Sequence, residues 1–153
     1  MTRRLLSLAR DERGASIIEM AMVLPVLLTL LVGMVDISRA YSARLQLEQA
    51  AQRSIEKVMQ YQASSSTYTT LYTEAAAAAQ VPVSDVTVDY WLECNGARAG
   101  DYNGSCTSGQ TYARYVTVSI DKDFSPIFGT RFFPGANADG TFTLTGEAGL
   151  RTQ

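Results

Sequence analysis

The chain has 153 residues, a formal net charge of −2 and no histidine. That length allows one small globular domain beside any membrane segment. Without His the usual general base, the commonest nitrogen metal ligand and every Ser-His arrangement are excluded. No basic patch interleaves with aromatics, so nucleic acid is not an expected partner.

Residues 1–14 hold four Arg against Asp11 and Glu12, a net +2. The remainder carries nine basic and thirteen acidic groups, a net −4. An apolar stretch from Ala15 to Val35 follows the basic leader, about 21 residues and enough to cross a bilayer core as a helix. Glu19 is the only charge in it, and a carboxylate in lipid is a functional-site hypothesis by default. Pro25 interrupts the span, which membrane helices tolerate because local adjustments satisfy the freed carbonyl. Arg on the short N-terminal side predicts a cytoplasmic N-terminus and an exported C-terminal domain. An ordinary secretory signal, cut after Ser38-Arg39-Ala40, is the competing reading, but its apolar core would run only about 7–15 residues.

The helical pattern continues past the membrane. Ala40, Ala43, Leu47, Ala50, Ala51, Ile55 and Val58 recur at three- and four-residue spacing, with Arg44, Glu48, Gln52, Arg53 and Lys57 opposite. One helix is therefore expected from about Ser16 to Gln60, about 65 Å long at 1.5 Å per residue. Ser64–Ser66 breaks it, Ser66 caps a second helix through Ala79, and Val81-Pro82 ends that one.

Alternation then takes over. Val86, Val88, Tyr90, Leu92 and Cys94 share one strand face, and Thr87, Asp89, Trp91 and Glu93 the other. Tyr112 to Ile120 and Phe142 to Leu150 give two more strands. Between them lies a Pro/Gly-rich excursion whose Ile127, Phe128, Phe132 and Phe133 are expected to seal one end of the core. Asn137-Ala138-Asp139-Gly140 reads as its closing turn. Cys94 and Cys106 are the only cysteines and flank a glycine-rich loop in a domain expected to be exported. A disulfide is the expected pairing. Without a Cys-x-x-Cys spacing or His ligands, redox catalysis and a zinc site are poorer readings. Asp85, Asp89 and Glu93 share strand parity and read as a solvated face, so no metal is expected.

Arg13-Gly14-Ala15-Ser16-Ile17-Ile18-Glu19 resembles the type III signal of type IV pilin precursors. Ala21 to Leu28 with its Pro25, the exit Asp36-x-x-Arg39 and the Leu47-Glu48-Gln49-Ala50-Ala51 continuation are similar to the TadE-like family of minor pilins and pseudopilins of Tad (Flp-type) pili. Leu144 to Arg151 also resembles that family's C-terminal strand. The resemblance implies a cytoplasmic leader 1–14, prepilin peptidase cleavage between Gly14 and Ala15, a transmembrane segment 15–36 and a periplasmic α+β domain 37–153. In that domain the long helix would pack on a small antiparallel sheet of about three strands. Partners so implied are other pilin and pseudopilin subunits, the peptidase and the inner-membrane assembly platform. Glu19 would then lie one turn from the new amine of Ala15 and pair with a neighbour's N-terminus; equally, it stabilises its own helix N-terminus. A structural assembly subunit without enzymatic activity or cofactor is expected. The alternative is a membrane-anchored periplasmic binding module that enters no filament.

Overall fold

A computed structural model describes residues 12–60, 65–127, 129 and 135–152. Its elements are helix α1 (Glu12–Gln60), helix α2 (Ser65–Ala79), a 3-10 turn (Val83–Asp85) and strands β1 (Val86–Cys94), β2 (Ala97–Ala99), β3 (Tyr112–Phe124) and β4 (Phe142–Arg151). The chain divides into two compact units, Met1–Ser38 and Arg39–Gln153.

The second unit is α+β, with a four-stranded antiparallel sheet ordered β2-β1-β3-β4. Three strands were expected, and the fourth is the three-residue β2. It is made by a two-residue hairpin in which Asn95 and Gly96 both take positive φ, 51° and 79°. Such turns match the natural twist of the strands they join. One sheet face turns Val86, Val88, Val116, Val118 and Ile120 inward, against Leu47, Ala50, Ala51 and Ile55 of α1 and Leu71, Ala75 and Ala76 of α2. All twelve are buried, so the amphipathic stripe of α1 finds its cover in the sheet. Ser54, buried among them, donates to the Ala50 carbonyl at 2.8 Å and leaves no polar group unsatisfied.

The helix backbone comes closest at β4. A Cβ placed on Gly146 would lie 2.6 Å from the Glu48 amide nitrogen and 2.5 Å from the Leu47 carbonyl carbon. Only glycine fits there, for want of room and not for its conformational freedom.

Two ends of the domain depart from or fall beyond the expectation. Ile127 is 62 % exposed and does not seal the core; Phe128, Phe132 and Phe133 lie outside the described residues. Helix α2 begins at Ser65, and the side chains of its first turn also lie outside them. Its other end closes as anticipated, with Gln80 at φ 56° and the Val81 amide donating to the Ala76 carbonyl at 3.0 Å. The turn at Asn137–Gly140 forms as well, the Gly140 amide donating to the Asn137 carbonyl at 3.0 Å.

Candidate functional site

The described residues of the first unit are all helix, and their composition decides their surroundings. Ile17, Ile18, Met20, Met22 and all the large apolar residues on to Ile37 except the half-buried Val32 are exposed. The most apolar 18-residue window has a mean hydropathy of 2.3 and none of it is buried. A helix hydrophobic all round without protein cover is matched to lipid, and this one is long and apolar enough to cross a membrane. The helix continues through Pro25 without a break. Thr29, one turn later, donates its hydroxyl to the Pro25 carbonyl, so this polar side chain is satisfied within its own helix.

Gly14 and Ala15 lie in the first turns of α1, and Glu19 stands exposed one turn beyond Ala15. The i,i+4 spacing places Ala15 and Glu19 along one side of the helix. Farther on, Asp36 is only 7 % exposed and is engaged by a partner. In the second unit Arg39 sits with its guanidinium carbon 5.5 Å from the centroid of Phe124.

In the second unit, Cys94 and Cys106 are bonded, with Cα atoms 5.6 Å apart. Arg114 ties the enclosed loop to β3, donating from Nε to the Tyr102 carbonyl at 2.9 Å and from Nη2 to the Gly104 carbonyl at 3.0 Å. Asn95 accepts from the amide and hydroxyl of Thr111 at 2.9 and 3.1 Å, which fastens the other side of the loop.

The sheet face away from the helices carries Asp89 and Glu93, whereas Asp85, expected on the same strand face, ends the 3-10 turn before β1. Asp89 takes a two-point bond from Arg98 at 2.7 and 2.8 Å. Glu93 accepts from the Trp91 indole at 2.9 Å, and Asp85 from the Ser84 hydroxyl at 2.8 Å. Each acid therefore has a local partner. Trp91 lies between the Arg98 guanidinium, 4.8 Å from its ring, and the stacked ring of Tyr115 at 5.3 Å. With β1 between β2 and β3, these neighbours cover both faces of the indole. That ladder depends on Arg98, which an alternation count of the sequence passes over; the Asn95-Gly96 dipeptide was the signal that would have found it.

The family model for TadE-like protein matches residues 14–55. Over this segment the chain is similar to TadE-like proteins. The match spans Gly14, Ala15, Glu19, the apolar span and the part of α1 that packs on the sheet. It stops before α2 and the four strands. No curated protein and no solved structure matches the chain.

Proposed function

We propose that this chain is a minor pilin or pseudopilin, a structural subunit in assembly of a Tad-type pilus. One observation carries the reading: the TadE-like segment places Glu19 on an apolar helix without protein cover and runs on into a folded α+β domain. The leader stays in the cytoplasm, a prepilin peptidase cuts between Gly14 and Ala15, and the domain faces the periplasm. In lipid an unpaired carboxylate is costly, and an opposite charge attracts it far more strongly there than in water. Glu19 of an incoming subunit therefore pairs with the ammonium of Ala15 on a neighbour, which sets axial register. The role is one of assembly and not of catalysis.

The Glu19 side chain offers the test. Glu19→Ala should leave membrane insertion and the domain's thermal transition nearly unchanged, since neither rests on that charge. Glu19→Leu inserts more favourably, because an apolar side chain replaces a carboxylate. Recovery in sheared pili and in crosslinks to other pilins, normalised to total mature protein, should fall about tenfold or more. Glu19→Gln, polar but uncharged, should fall between. Wild-type recovery for all three would return Glu19 to a helix-terminus acid and favour a membrane-anchored module outside any filament.

A further inference from the structure

Beside the core of the second unit, α1, the C-terminal end of α2 and β3 enclose an open cleft of about 240 Å³. Alanines line part of it, among them Ala50 of α1 and Ala78 and Ala79 of α2, beside Leu47 and Gln49. Arg53 and Lys122 reach it from α1 and β3, and no acid lines it. That is a local reversal of charge in a chain whose residues 15–153 sum to −4.

The fate of the other cations makes the cleft stand out. Arg44, Lys57 and Arg98 are paired with Glu48, Glu74 and Asp89. Arg39, Arg114 and Arg151 are also engaged. Among the described residues of the second unit, Arg53 and Lys122 are the two basic side chains without a partner, and both line this one cleft. Gln80, with a left-handed backbone at φ 56°, also lines it. The glutamine brings a further hydrogen-bonding amide to the opening.

We propose that this cleft receives a carboxylate from an acidic segment of a neighbouring pilus subunit. Arg53 and Lys122 would take the charge, while the alanine walls leave space for the methylene stem of a glutamate. The inference rests on the assembly reading above and adds a second contact, outside the membrane, to that of Glu19. Paired charges at such a surface steer association and reject wrong partners. A purely internal role is the competitor: α2 has no basic residue in its last turn, and nearby cations favour a helix C-terminus.

A pair of photo-crosslinking residues in the full-length chain, in its native membrane, separates these outcomes. One replaces Gln49 at the cleft, the other Met22 in the apolar span. The Gln49 probe should capture another pilus subunit next to an Asp or Glu. Charge reversal of Arg53→Glu with Lys122→Glu should cut that yield about tenfold, with Met22 crosslinks, mature protein level and melting temperature unchanged. Arg53→Gln with Lys122→Gln, the milder variant should the first fail to fold, should cut it in the same direction. Changing the captured acid to Lys should restore capture by the Arg53→Glu, Lys122→Glu chain. Capture that ignores both variants, or capture only of lipid or of proteins outside the pilus, overturns the proposal. So does a lowered melting temperature with capture intact, which assigns the cations to the end of α2. Met22 crosslinks to pilins with a silent Gln49 probe would overturn the cleft and leave the assembly reading standing. Silence from both positions would remove the two together.

Discussion

At Gly146 a single hydrogen in place of a methyl decides whether helix and strand meet. The three nearest atoms to any added Cβ are the Leu47 Cβ and two α1 backbone atoms, the Leu47 carbonyl carbon and the Glu48 nitrogen, none of which can rotate aside as the end of a side chain would. Gly146→Val should therefore destabilise the domain by about 2–3 kcal/mol or more, the cost of overpacking a close-packed interior. Chemical denaturation would show it as a lowered midpoint. By contrast, Gly149→Ala meets first the Thr117 methyl at 3.0 Å, a side-chain group able to shift, and should cost less. Asp139 illustrates a different residue effect. The Thr141 hydroxyl and amide donate to its carboxylate at 2.7 and 3.0 Å, and these bonds hold its pKa below the ordinary value of 3.8. A lowered folded pKa means stabilisation that is present above the unfolded pKa and lost as pH falls through the folded one. The stability difference between wild type and Asp139→Ala should accordingly shrink as denaturation is repeated from about pH 5 downward.

Among the elements, the β1–β2 hairpin and its disulfide form the most testable group. Bridging Cys94 and Cys106 closes a loop with a sequence separation of 12, worth about 3 kcal/mol in the chain-entropy account. Reduction, or Cys94→Ser with Cys106→Ser, should lower the melting temperature while helical circular dichroism persists, since α1 draws on the sheet core. Gly96→Ala should cost about 1 kcal/mol by a separate route, because φ of 79° strains an alanine although the space around it is open. The three long strands were legible because alternation over nine or more residues exposes a buried face: Val116, Val118 and Ile120 on β3 are wholly buried. Strand β2 was not legible that way. Ala97-Arg98-Ala99 is too short to alternate, and its presence was written instead in the turn before it. The apolar span was legible from hydropathy. The cleft was hidden, because Arg53, Ala79 and Lys122 come together only through packing of α1, α2 and β3.

For the whole molecule, the assembly reading makes a claim about mass and orientation. Intact mass of membrane-extracted protein should show the chain beginning at Ala15, and Gly14→Leu should leave the precursor inserted but uncut, since the span is untouched. A chain beginning at Met1 or Tyr41 would remove the prepilin assignment. Orientation follows from accessibility: a protease added outside the inner membrane should reach residues after Arg39 and spare the Arg-rich start.

The seat of α1 on Gly146 also imposes an order of events. If the domain is exported as the assembly reading has it, Leu47 leaves the membrane early, and the strand that receives it is about 100 residues behind in the chain. Contacts so distant in sequence form late. Until β4 has crossed and paired with β3, the stripe of Leu47, Ala50 and Ala51 has no complete cover. On that reading the domain would report its own translocation: a subunit stalled partway would present an unseated helix, and only one delivered through β4 would acquire the finished surface that a growing assembly meets.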